Sequence, residues 1–247
     1  MSLVSATGVV GGIKEYTYRG IQQLPIVLGT TSMIFTLATG SIAHMNLALG
    51  LAVLMPLYTY SLQSLLTFIL QYAKPNDKIS WTRSTGDSCS IVPSGDKKSI
   101  RYFNSSNNSS DVQSVPSFWL MEVAFFIGYA LSNAIDSLQT PAQPNADPEN
   151  IEKRNSGAIF LIIAICVLSI MVLAVRFTAM RGCEGRGSLG LFLSILSAAG
   201  AASIGYGVYE FSRRCGSRAS DLFGILSQIL PASSTAEHPI VCSADET

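Results

Sequence analysis

IFLIIAICVLSIMVLAVRF, residues 159–177, decides the fold. It carries no charge before Arg176, and with Gly157 and Ala158 ahead of it supplies the roughly 20 apolar residues that cross a hydrocarbon core about 30 Å thick. Its β-branched residues would tolerate a strand, but strands end after about six residues and no turn former interrupts this run. It therefore predicts a membrane-crossing helix. Arg176 stands at its far end, where a long side chain can carry its charge out to the headgroups.

Composition points the same way. Of 247 residues, 48% are hydrophobic and only 13% charged, with a mean hydropathy of +0.37. A soluble domain has about 25% charged residues, so much of this surface does not face water. Sixteen basic and 16 acidic residues cancel, which argues against direct nucleic-acid binding through counterion release. The five cysteines, Cys89, Cys166, Cys183, Cys215 and Cys242, show no metal-ligand spacing and imply neither a zinc site nor a disulfide framework. Residues 1–20 lack a compact apolar core, so no cleavable signal peptide is expected and the first span would act as a signal anchor.

Outward from the central run, four further apolar segments emerge. Residues 1–23 read as a short non-spanning arm. Its Gly8, Gly11 and Gly12 make no phosphate loop, because the GKS or GKT ending is missing. Residues 24–70 form a transmembrane hairpin: a first segment over 24–42, opened by Pro25 and weakened by threonines, serines and glycines, then a polar joint at His44 and Asn46, then 47–70 with Pro56 as a kink. His44 reads as a packing or interfacial histidine. If the first segment is instead a re-entrant arm, four spans remain.

Residues 71–117 are a polar extramembrane loop with ten charged residues, the low-complexity NSSNNSS at 104–110, and enough Ile, Val, Trp and Tyr for a small β-rich excursion on the membrane. The GDSC at 86–89 is a polar turn; no histidine near Ser88 makes it a protease site. Asn104, Asn107 and Asn108 each begin an N-x-S sequon, usable only in a lumenal loop.

Residues 118–211 hold three more spans. In the first of these, 118–138, Glu122, Tyr129, Asn133 and Asp136 share one helical face, which has to meet protein or water because a carboxylate facing lipid is costly. The stripe serves either as an assembly interface or as a conduction path. The connection 139–156, with Pro141, Pro144 and Pro148, reads as an irregular polar loop. In the last span, 188–211, Ala198 with Ala202, Ala201 with Gly205 and Ser203 with Gly207 repeat the small-xxx-small spacing of close helix packing. Residues 212–247 comprise the basic collar Arg213, Arg214 and Arg218, an amphipathic helix through Leu222, Ile225, Leu226, Ile229 and Leu230 too short to span, and a mildly acidic tail.

Five spans put the N-terminus, the 71–117 loop and the 178–187 loop on one side. That side, with Arg176, has eleven basic residues against five, favouring an N-terminus in the cytoplasm and unused sequons. The fold class expected is an all-α polytopic membrane protein of about five transmembrane helices.

Three blocks, WTRSTGDSCSIVP (81–93), VPSFWLMEVAFFIGYALSNAIDSL (115–138) and IEKRNSGAIFLIIAI (151–165), resemble uncharacterised multi-spanning inner-membrane proteins of large icosahedral double-stranded DNA viruses. The likeness covers residues 45–180 and brings no residue role with it. It implies a place in a virion inner membrane derived from a host internal membrane, beneath minor capsid proteins. No convergent nucleophile, base or metal cluster appears and no cofactor is implied. The function expected is a non-enzymatic membrane scaffold, in contact with lipid, other membrane proteins or further copies of itself. A small transporter or channel along the Glu122–Asp136 face is the alternative, though five spans without an internal repeat fit transporter construction poorly.

Overall fold

The computed structural model describes residues 3–73, 78–85, 89, 91, 112–140, 148–180, 182–214 and 222–223. Among them are five helical spans long and apolar enough to cross a membrane, and the chain is an all-α integral membrane protein. Helix α1 (Leu3–Thr39) turns at Gly40, whose φ of +65° suits a residue without Cβ, into α2 (Ile42–Leu49). A π-helical segment (Gly50–Leu54) carries α2 into α3 (Met55–Ala73), making one span of 32 residues. Helices α4 (Phe118–Gln139), α5 (Pro148–Thr178) and α6 (Ser188–Arg214) follow.

Three expectations need correcting. The arm before Leu24 is not separate from the first span, because the helix runs on from Leu3 without a break. The first turn lies at Gly40 and Ser41 instead of at His44 and Asn46, both of which are inside α2. The 139–156 connection is not irregular throughout: α5 starts at Pro148, a residue well suited to a first helical turn that has no use for its missing N–H. Pro56 is accommodated by the π-helical turn ahead of it. The Met55 N–H reaches back five residues to Gly50 O, widening the helix where the proline ring would press on the carbonyl four residues earlier.

The core is organised inside out relative to a soluble protein. The α5 span is the most apolar, yet only 6% of its apolar window is buried in the protein, against 56% for α4. Lipid is the solvent for the outer faces of α5, while α4 is the central helix, packed most extensively on α6 and then on α5. Trp119, Phe125, Tyr129, Ala130 and Ala134 of α4 form the core with Met55 and Tyr209. Glycines set the spacing: a Cβ at Gly128 would strike the Ala202 carbonyl, one at Gly205 the Phe125 carbonyl, and one at Gly50 the Phe125 ring.

A small extramembrane cap sits over one end of the bundle. A 3₁₀ turn (Lys78–Trp81) leads into β1 (Thr82–Ser84), which pairs antiparallel with β2 (Val112–Ser114), Arg83 opposite Gln113. This is the β-containing excursion expected for the polar loop. The α5–α6 connection closes on it through Ser84 N to Gly182 O, 2.7 Å, and Arg186 N to Thr82 O, 2.9 Å. The three sequons, and all of the expected C-terminal amphipathic helix except Leu222 and Phe223, lie outside the described residues.

Candidate functional site

Polar groups inside this bundle gather at its two ends. At the cap end, Arg176 does not run out to the headgroups, as its place at the end of α5 implies. It is fully buried, and its Nε donates to Glu184 Oε1 at 2.7 Å. The guanidinium lies 4.7 Å from the centre of the Trp119 ring, and its Nη2 reaches Cys89 O at 3.4 Å. The other Glu184 oxygen accepts from Ser117 Oγ, which caps α4 by accepting from Leu120 N at 3.1 Å. Ser194 of α6 donates to Glu184 O. The Glu184 carboxylate thus ties the end of α5 to the start of α4, and the same residue's backbone carbonyl holds the start of α6. Nearby, Arg83 is 7% exposed and donates to Gln113 at 2.6 Å. Burial pushes its guanidinium below the usual value; the Glu184 carboxylate counteracts this and Arg176 adds to it.

The cap is covalently closed. Cys89 and Cys183, 94 residues apart in sequence, form a disulfide with Cα atoms 5.1 Å apart, which corrects the reading that the cysteines imply no disulfide. Spacing along the chain could not reveal it, because the pair meets only when the 78–91 and 182–187 segments fold onto each other. Tyr18 and Ile21 of α1 pack on this disulfide, and Trp119 Nε1 donates to Ile21 O at 2.7 Å, so this stretch of α1 lies at the cap end.

At the opposite end, Asp136 of α4 accepts from Tyr209 Oη at 2.6 Å and from Arg213 Nη1 at 2.7 Å, both on α6. Asn46 of α2 donates to Ser212 at 2.6 Å, and buried Arg154 of α5 donates to Thr140 O at 2.6 Å. These bonds bring the ends of four helices together.

The stripe read on α4 is split between these ends. Tyr129 donates to Ala43 O of α2 at 3.0 Å, Asn133 is fully buried, and Asp136 belongs to the α6 junction. Glu122 is half-buried near the cap end and makes no ion pair among the described residues. Fourteen residues of helix put it about 21 Å from Asp136 along the axis, so the two carboxylates do not form one site. Of the small residues on α6, Ala201 and Gly205 are buried, with Ala198 and Ala202 half-buried, while Ser203 and Gly207 are exposed. His44 stacks on Phe35, ring centroids 5.2 Å apart, beside an apolar hollow of about 580 Å³ bordered also by Leu28, Ser32, Phe126 and Leu222.

No group of three or more His, Cys, Asp or Glu side chains suited to a metal ion occurs among the described residues. Arg176, Glu184, Arg83 and the disulfide escape a reading by helix face, because they are brought together from the end of α5, strand β1 and the loops of the cap. One signal was present: Glu184 is the only acidic residue between Glu152 and Glu210, in a loop adjoining Arg176. No family model, curated protein or solved structure matches this chain.

Proposed function

We propose that this protein is a non-enzymatic structural scaffold of a membrane. The observation that carries the reading is the use to which the intramembrane polar groups are put: Tyr129 holds α4 to α2, and Asp136 holds α4 to α6 through Tyr209 and Arg213. Groups committed to joining helices are occupied by protein. The exposed Ser203 and Gly207 on α6 give close-packing positions to a neighbouring membrane protein or a second copy. The finer proposal, an inner-membrane component of an icosahedral virion in contact with minor capsid proteins, rests on the resemblance of the blocks at 81–93, 115–138 and 151–165 alone.

The alternative, a small transporter or channel, draws support from the hollow beside α4, which Ser32 and His44 line together with apolar groups. Purification in native lipid with crosslinking mass spectrometry, run beside flux measurements in proteoliposomes, separates the two. A reproducible set of protein contacts without flux is expected. Robust flux that disappears in Glu122→Gln or Asp136→Asn while assembly stays normal would refute the scaffold.

A further inference from the structure

We infer that the cap closed by Cys89 and Cys183 faces an oxidising, extracytoplasmic compartment, with the Asp136–Arg213 end of the bundle toward the cytoplasm. This reverses the orientation favoured by counting basic residues, and it stands independently of the scaffold reading. Cysteine pairs persist as structural disulfides in secretory compartments and on extracytoplasmic faces, whereas cytosolic thiol systems keep them reduced. The bond joins the two loops that make up the cap, with Cys89 6% and Cys183 1% exposed, and Met180, Tyr18 and Ile21 packed around it. It is built into the packing of the cap, so the side on which it forms is the side on which the cap folds.

The charge count opposing this is weaker than it looks from sequence. Arg83 and Arg176 are buried inside the cap and bonded there, so they do not sense the membrane surface. Lys97 and Lys98 stand twenty or more residues from either flanking helix, at or beyond the range over which basic residues orient a span. Removing these four, and buried Arg154 from the opposite side, leaves seven against four. That bias is too slight to outweigh a covalent bond that needs an oxidant. A second observation agrees in sign. All three N-x-S sequons, at Asn104, Asn107 and Asn108, fall between Cys89 and Val112 in sequence, two residues that the structure places in the cap. In this orientation they face the compartment where N-glycans are attached.

The test uses the full chain made in cells with a secretory pathway, lysed in the presence of a thiol-blocking reagent so that free thiols are trapped as they stand. Peptide mass spectrometry of the wild-type protein is expected to recover a Cys89–Cys183 linked peptide, with Cys166 blocked as a free thiol. An endoglycosidase-sensitive mass shift is expected, lost in the triple variant Asn104→Gln/Asn107→Gln/Asn108→Gln. A new acceptor in the C-terminal tail, made by Ala232→Asn ahead of Ser233 and Ser234, is expected to stay unmodified. Blocking of both Cys89 and Cys183 without prior reduction would overturn the inference, as would a glycan on the Ala232→Asn site.

Discussion

Glu184→Gln removes one charge and changes almost no volume, which makes it the cleanest probe of the cap end. In the wild type the carboxylate faces Arg176 Nε at 2.7 Å, with both side chains at most 2% exposed. At an effective dielectric of 20 this separation corresponds to roughly 6 kcal/mol of attraction, from which the cost of desolvating both ions has to be subtracted. Glutamine keeps one acceptor for Arg176 or for Ser117, but leaves the guanidinium charge uncompensated beside Arg83. Breaking a buried pair from one side costs about 3–5 kcal/mol, and that is the expected loss. Arg176→Met combined with Glu184→Gln removes the stranded charge and fills its space against Trp119, so it is expected to recover at least half of the loss. Reversible unfolding in detergent, followed by tryptophan emission, reads this directly because Trp119 lies against the guanidinium. A single variant within about 0.5 kcal/mol of wild type would refute the claim that this carboxylate holds α4 and α5 together.

Gly128→Ala and Gly205→Ala are each expected to lower stability by about 1–3 kcal/mol through overpacking, since their Cβ atoms meet the backbone of the facing helix. Gly207→Ala meets no atom within 4 Å and should stay within about 0.5 kcal/mol of wild type in the same unfolding assay, unless assembly with a partner covers that face. Asp136→Asn should cost roughly 1–2 kcal/mol, less than a fully buried charged bond, because the Arg213 side chain is 48% exposed and screened by solvent. Tyr209→Phe in the Asp136→Asn background should then add little, which a double-mutant cycle measures. Val167→Arg, on the lipid face of α5, should cost about 2.5–3.5 kcal/mol in an insertion assay. In the unfolding assay Ile165→Arg should cost more than Val167→Arg, because Ile165 packs in the core.

The membrane class belongs to the sequence itself, which left the count between four and five spans; the structure has five helices long and apolar enough to cross. Residues 159–177 need no partner to be recognised as a span, because the solvent that stabilises them is lipid, and their length and apolarity are intrinsic. The special faces of α4 and α6 were legible for the same reason: helical periodicity places Tyr129 with Asp136, and Ala201 with Gly205, before any fold is known. What each face meets was not. Local sequence assigned Arg176 to the headgroups, and only the folding of the 182–187 loop back over the bundle puts Glu184 against it. The cysteines gave no spacing to read, because Cys89 and Cys183 come together across 94 residues through strand pairing and helix packing that neither loop encodes alone. Periodicity is a property of one element, whereas ion pairs and disulfides between loops are properties of how elements are brought together, and here those long-range contacts join the cap to the ends of the helices.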